Sequence, residues 1–159
     1  MKDVIIIGAG IVGSTVAYEL SKYEVDAMVI EKLDKPGLDV TGHNSAVIHA
    51  GVDPEDGTLK NKYNLKGTKM YEAYARELGT PYKQIGAFVI ATTDADHAHI
   101  EKLLRNGEKR DVFVERLTRE EALLKEPNLP NNVYEVLSMP TTAVVNPTDV
   151  AQKAITKAQ

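Results

Sequence analysis

Three glycines that follow an apolar run constrain the fold of this chain more than any other feature. Gly8, Gly10 and Gly13 come directly after Val4–Ile7, and Glu31 stands eighteen residues beyond Gly13, at the end of a second apolar run. Two β-branched runs with a helical segment between them predict a βαβ unit. Glycines at such a turn open the backbone to a pyrophosphate at the helix start, where the helix dipole favours negative charge. The sequence therefore predicts a site for an adenine dinucleotide.

Each residue of the glycine turn has an expected role. Gly8 permits the tight turn out of the strand, Gly10 lets the phosphates approach the backbone, and Gly13 lets the helix lie close to the sheet. Ile11 and Val12 complete the predicted phosphate-binding turn. Because glycines also gather in ordinary turns, the flanking strands and helix are what make this prediction specific.

Glu31 and Lys32 bear on which dinucleotide is bound. The Glu31 carboxylate is expected to accept hydrogen bonds from ribose hydroxyls and to repel a 2′-phosphate. Lys32 beside it weakens that repulsion. NADP is nevertheless disfavoured.

Composition excludes several classes of protein. At 159 residues and 43% hydrophobic, the chain can form a domain with a core, but it is small for a two-substrate redox enzyme. Its net charge of −4 is spread over interspersed charges of both signs, which predicts no nucleic-acid partner, and no stretch is apolar enough to be a transmembrane segment. The absence of cysteine excludes disulfides and thiolate metal sites. The start of the chain has no signal-peptide pattern, which predicts a cytoplasmic location.

Beyond Glu31 the pattern changes twice. Residues 43–51 mix small, polar and β-branched side chains without periodicity, which is typical of a ligand-lining segment. Residues 60–78 predict an amphipathic helix with Tyr63, Tyr71 and Tyr74 on its core stripe. Further helices are predicted at 94–110, 118–125 and from Asn146 onward, and strands at 25–30, 87–91, 112–117, 133–139 and 143–145. We therefore expect an α/β fold, with a Rossmann-like βαβ unit and part of an α+β lobe.

Several motifs together carry a family resemblance. They are the glycine signature, His43-Asn44-Ser45-Ala46-Val47-Ile48-His49-Ala50-Gly51, Gly57–Lys60, Leu78–Lys83, Gly86–Ala91 and Val144–Pro147. In this order the chain resembles FAD-dependent oxidoreductases of the D-amino-acid oxidase and glycine oxidase-like superfamily, in the branch of glycerol-3-phosphate dehydrogenase and L-2-hydroxyglutarate oxidase. Members of that family are usually much longer, so the resemblance implies an N-terminal, truncated portion.

The resemblance implies three segments and one cofactor. Residues 1–81 would be the first segment of the FAD-binding domain, 82–143 part of the substrate-binding lobe, and 144–159 the return to the FAD-binding domain. The cofactor implied is FAD, with its adenosine half on Gly8–Gly13 and Glu31.

The same resemblance assigns residues 43–51 to the rest of the flavin. The turn at Asn44 and Ser45 would lie along the pyrophosphate and ribityl chain, and His49 would face the isoalloxazine ring. Ala50 and Gly51 belong to the same cofactor-binding segment. His43 either shapes this turn or lies in solvent. The family usually has glycine where Ala46 stands, so backbone approach there is a point of difference.

The activity implied is oxidation of a small anionic secondary alcohol, sn-glycerol 3-phosphate or a 2-hydroxy acid, with hydride transfer to the flavin. His49 is the candidate catalytic base, because imidazole accepts a proton near neutral pH. The alternative is a buried histidine bonded to a backbone carbonyl, or one that only packs beside or links to the flavin.

Other interpretations stay open. A NAD-dependent dehydrogenase fits the glycines and Glu31 but does not explain residues 43–51, and the short chain also fits a non-catalytic nucleotide-binding module. No metal site is predicted, since His97 and His99 lie on different sides of a helix and are expected on its solvated surface. The residues do not select oxygen, quinone or a carrier as electron acceptor, and peripheral membrane association of the full enzyme is compatible with them. No arginine is indicated as a clamp for the substrate anion.

Overall fold

The computed structural model describes all residues, 1–159, as two compact units. The first unit holds residues 1–47, 71–82 and 144–159, and the second holds residues 48–70 and 83–143. The chain crosses between these units at 47/48, 70/71, 82/83 and 143/144. Residues 48–70, which were expected with the first segment, group with the second unit. Helices and strands both occur, so the predicted α/β class is confirmed.

The first unit contains the βαβ motif. Strand β1 (Val4–Ile7) pairs in parallel with β2 (Ala27–Ile30), and helix α1 (Ile11–Leu20) connects them. Strand β2 begins later than predicted because the backbone turns just before it, where the Ala27 N–H donates to the Val25 carbonyl.

Helix α1 buries two small residues and a tyrosine rather than its valines. Ser14, Ala17 and Tyr18 are buried, whereas Val12 is 74% exposed. Helix α1 packs against α5 (Pro147–Ala158). The N-cap of α5 is Asn146, where the helix is predicted to start, and the Asn146 side chain accepts from the Asp149 N–H at 3.1 Å. Small side chains at such a contact let two helix backbones approach closely.

The second unit is an antiparallel sheet covered by helices. Its strands β5 (Phe88–Ala91), β6 (Glu115–Leu117) and β7 (Glu135–Ser138) lie in the order β5-β7-β6. Helix α3 (Asp94–Arg110) contributes Ile100 and Leu103 to one apolar cluster with Leu137, and α4 (Arg119–Lys125) contributes Ala122 to another with Val136. All four residues of β7 are buried.

Three short strands and one long helix complete the fold. Strands β3 (Val47–Ile48), β4 (Tyr82–Gln84) and β8 (Ala143–Val145) form a sheet in the order β3-β8-β4. Helix α2 (Leu59–Leu78) forms as predicted, but Tyr63 is 58% exposed, so its assignment to the core stripe is wrong. None of the helices combines the length and apolar character that a bilayer crossing requires.

Candidate functional site

The glycine turn has the backbone geometry that a close-packed βαβ junction needs. Gly8 has φ +95°, and its N–H donates to the Ile30 carbonyl at 2.7 Å, which joins the turn to the end of β2. A side chain at Gly13 would overlap the Gly8 carbonyl oxygen and approach Ile6 Cγ2 to 3.2 Å. Glycine at position 13 therefore allows α1 to begin this close to β1.

The first turn of α1 presents backbone donors. Gly10 is the N-terminal cap residue and supplies no side-chain hydrogen bond. The Ile11 N–H donates to Thr41 Oγ1 at 2.9 Å, whereas Val12 and Gly13 follow in the first turn, whose N–H groups have no acceptor within the helix. These free donors and the positive end of the helix dipole can hold an anionic group.

Glu31 is fixed at the carboxyl end of β2. Its Oε2 accepts from the Ala9 N–H at 2.6 Å and its Oε1 accepts from the Leu33 N–H at 3.0 Å. These backbone bonds lower the pKa of Glu31, so the carboxylate stays ionised at neutral pH. Each oxygen keeps a lone pair that a hydroxyl donor can use.

Lys32 is paired with a second carboxylate. Its Nζ lies 2.9 Å from Asp39 Oδ2, and this ion pair lowers the pKa of Asp39. The neighbouring cleft in the first unit has a volume of about 410 Å³ and is lined by Ile7, Gly8, Gly10, Ile30, Glu31, Lys32, Asp39, Val40 and Thr41. Two carboxylates and one paired lysine make this cleft unfavourable for an additional phosphate.

Sequence reasoning missed Thr41 and Asp39. Thr41 is buried in a short 3-10 helix (Val40–Gly42), and its hydroxyl reaches α1. The loop before it returns to the glycine turn, where the Gly37 N–H donates to the Ala9 carbonyl at 3.0 Å. Pro36 and Gly37 predict a loop, but no local pattern predicts where the loop packs.

A bend built by Asn44 follows in the same unit. Asn44 Oδ1 accepts from the Ala46 N–H at 2.7 Å, and Asn44 Nδ2 donates to the Thr41 carbonyl at 2.8 Å. Ala46 has φ +60°, in the left-handed region that favours glycine. Ser45 is exposed, and His43 is exposed with its Nδ1 2.9 Å from the Asp39 carbonyl.

His49, Ala50 and Gly51 belong to the second unit, whereas the other predicted site residues belong to the first. The His49 side chain is exposed and makes no hydrogen bond within the protein, so the alternative of a buried, carbonyl-bonded histidine is wrong. Its backbone carbonyl accepts from Thr68 Oγ1 at 2.6 Å. Ala50 and Gly51 are buried, and a side chain at Gly51 would come 2.7 Å from Leu65 Cδ2.

His97 and His99 are both exposed, as expected, but His97 also has a buried partner. Its Nδ1 lies 2.5 Å from Glu135 Oε2, and Glu135 is buried. The potential ligand atoms of His97, Glu101 and Glu135 lie within 4.8 Å of one another. Arg116 faces both carboxylates, with its Nε 2.9 Å from Glu135 Oε1. The arginine already supplies the positive charge, so we interpret the cluster as an ion-pair network.

Comparison with known proteins adds a family and its relatives. The family model described as DAO, FAD dependent oxidoreductase, matches residues 3–159. Glycerol 3-phosphate dehydrogenase from Caloramator mitchellensis is 40% identical over 148 residues, which cover 92% of this chain and 31% of that protein. L-2-hydroxyglutarate dehydrogenase from Escherichia coli K12 is 32% identical over 152 residues, which cover 94% of this chain and 36% of that protein.

One solved structure matches the fold over nearly the whole chain. L-alpha-glycerophosphate oxidase from Mycoplasma pneumoniae, solved in a dithionite-reduced form with FAD bound, superposes with a TM-score of 0.94 at 29% identity. The match covers 99% of this chain and 42% of that one. The chain thus spans between about three and four tenths of the length of these three relatives.

Proposed function

Because this chain belongs to the FAD dependent oxidoreductase family, we propose that it is the nucleotide-binding portion of an enzyme that oxidises a small anionic secondary alcohol. The observation that carries this proposal is the glycine turn, where α1 starts close enough to β1 that position 13 has no room for a side chain. Such a turn brings unshielded N–H donors to a pyrophosphate.

The first-unit cleft supplies the chemistry for the adenosine half of FAD. Val12 and Gly13 donate N–H groups to the pyrophosphate, and Gly10 keeps the approach open. Glu31, ionised and held by two backbone bonds, accepts from the ribose hydroxyls. Asp39 neutralises Lys32, so the cleft favours FAD or NAD over a 2′-phosphorylated nucleotide.

The segment after the cleft would hold the rest of the cofactor. The Asn44 bend, with Ser45 exposed on it, is free to meet the pyrophosphate and ribityl chain, and His43 supports the bend through Asp39. Ala50 and Gly51 place small groups beside His49, which suits contact with a flat ring. A NAD-dependent enzyme would leave this segment without a role, and the family is FAD dependent.

His49 is our candidate catalytic base. FAD, when bound, would supply the acceptor for the hydride of the carbinol carbon, and the hydroxyl proton of the substrate would pass to a nearby base. The exposed His49 imidazole has both ring nitrogens free of protein partners, so it can accept that proton. We propose sn-glycerol 3-phosphate or a 2-hydroxy acid as substrate, since the relatives are named for glycerol 3-phosphate and L-2-hydroxyglutarate. The cytoplasmic location and membrane-surface association of the full enzyme stay predictions.

The test uses the full-length protein that carries these residues. It should purify with bound FAD, and anaerobic sn-glycerol 3-phosphate or L-2-hydroxyglutarate should bleach the flavin. His49→Asn should slow flavin reduction by roughly 100-fold or more while FAD stays bound. Lys102→Asn, at an exposed residue of α3, is the control and should leave the rate unchanged.

Two results would contradict the proposal. An unchanged reduction rate in His49→Asn would exclude the catalytic role of this histidine. Bound FAD that no hydroxy acid or glycerol phosphate reduces would favour the non-catalytic nucleotide-binding module.

A further inference from the structure

One arginine holds the loop that follows His49. Arg110, the last residue of α3, donates through Nη1 to the Gly51 carbonyl at 2.9 Å and the Val52 carbonyl at 2.7 Å. Through Nη2 it donates to the Pro54 carbonyl at 2.8 Å and to Asp56 Oδ1 at 2.7 Å. The Arg110 side chain is only 4% exposed. Four acceptors from one short loop therefore converge on a single buried guanidinium.

Burial of this charge is compensated within the second unit. Asp56 also pairs with Lys109 at 2.8 Å, and these two cations lower the pKa of Asp56, which stays ionised against the guanidinium. Residues 49–56 form neither helix nor strand. Arg110 gives their buried carbonyls the partners that secondary structure supplies elsewhere, and an unpaired buried carbonyl would be costly.

The same loop is anchored from two helices. Asn106, one turn before Arg110 in α3, donates through Nδ2 to the Val52 carbonyl at 2.8 Å. From α2, Thr68 donates to the His49 carbonyl, and Leu65 packs against Gly51. The backbone is thus fixed at His49 and again just beyond it, although the His49 side chain itself is exposed.

We propose that Arg110 is a positioning residue: by fixing the carbonyls of residues 51–54 it sets the place of the His49 imidazole. This inference rests on the proposed function, because the loop geometry affects flavin reduction only if His49 is the catalytic base. The planar guanidinium fork suits acceptors in several directions, whereas a lysine ammonium cannot match that arrangement. Proton transfer tolerates little displacement of the base.

The experiment compares Arg110→Met and Arg110→Lys in the full-length, FAD-loaded protein. We expect faster hydrogen–deuterium exchange in residues 49–56 and a flavin-reduction rate constant lowered about 100-fold in Arg110→Met, with the substrate Kd unchanged. Arg110→Lys should recover part of both effects. Arg105→Met, at an exposed arginine of the same helix, should change neither.

A milder variant covers the case in which Arg110→Met does not fold. Asn106→Ala removes one bond to Val52 and should raise exchange around residue 52 about fivefold, the effect of one lost hydrogen bond. Unchanged exchange in both a folded Arg110 variant and Asn106→Ala would overturn the inference. Faster exchange with an unchanged flavin-reduction rate would also overturn the inference. If His49→Asn is inactive in the same assay, the proposed function stays intact even though the inference fails.

Discussion

The two units differ in where their apolar surface lies. In the second unit, β7 runs through the middle of its sheet, and Leu137 and Val136 are fully buried on opposite faces. In the first unit, β1 and β2 alternate between half-buried and exposed residues, with Ile5 56% and Ile7 87% exposed. Parallel sheets are ordinarily covered on both faces. Within these 159 residues, the second unit therefore closes its own core, whereas one face of the first unit's two-stranded sheet is exposed.

Polar contacts, and not an apolar core, fix the residues that line the first-unit cleft. The Glu31 carboxylate accepts hydrogen bonds from backbone N–H groups, and the Thr41 hydroxyl accepts from the Ile11 N–H. The Ala9 carbonyl accepts from the Gly37 N–H. A nucleotide site needs open backbone, which a closed apolar core would cover. The comparison indicates that the second unit packs around its sheet, whereas the first unit packs mainly between α1 and α5 and uses hydrogen bonds and tight turns to shape its cleft.

Two substitutions that shorten a side chain test this difference, and one of them has the largest expected effect. Leu137→Ala removes a fully buried side chain from the second unit and should lower its free energy of unfolding by about 2–5 kcal/mol. In the same 159-residue chain, Ile7→Ala removes a side chain that is 87% exposed and should change stability by less than about 0.5 kcal/mol. Urea unfolding followed by hydrogen exchange reports each unit separately. Equal losses from both variants would contradict the comparison.

Local sequence signals predicted much of the fold. Helix α3 has the predicted limits, because Thr93 and Asp96 form a capping box at its start and Asp111 takes a left-handed conformation at its end. The capping box at Thr118 and Glu121 likewise starts α4. The family resemblance and FAD as its cofactor are confirmed by the family match and by the FAD-bound structural neighbour.

Contacts distant in the sequence could not be predicted. Thr41 reaches Ile11, thirty positions away, and Arg110 reaches Gly51 across an even longer separation. Neither residue stands in a pattern that marks it. The exposure of Val12 could not be predicted either, because it depends on how α1 packs against the distant helix α5.

A second pair of variants contrasts a tight glycine with an open one. Gly13→Ala would force α1 away from the Gly8 carbonyl and should destabilise the first unit by about 1–3 kcal/mol, with weaker FAD binding. Gly67→Ala lies inside α2 with no atom within 4 Å of the added methyl group, and should stabilise the protein by up to about 1 kcal/mol. Thermal unfolding and FAD titration measure both effects. Stabilisation by Gly13→Ala would disprove the close approach that the site requires.

The smallest expected effect concerns two non-glycine residues in left-handed backbone. Ala46 in the first unit has φ +60°, and Asp111 in the second has φ +53°. The left-handed conformation destabilises the folded state by about 1–2 kcal/mol when the residue is alanine. Glycine removes this cost, but it raises the conformational entropy of the unfolded chain, which destabilises the fold by about 0.4–1 kcal/mol. Ala46→Gly should therefore stabilise the protein by about 0.5 kcal/mol.

Asp111→Gly is the matched change and should gain less, because aspartate enters the left-handed region more readily than alanine. Differential scanning calorimetry of both variants should therefore raise the midpoint more for Ala46→Gly. A lower midpoint for Ala46→Gly would mean that the Asn44 bend depends on the alanine side chain. Such a result would make packing, and not only hydrogen bonding, a determinant of the first unit's site.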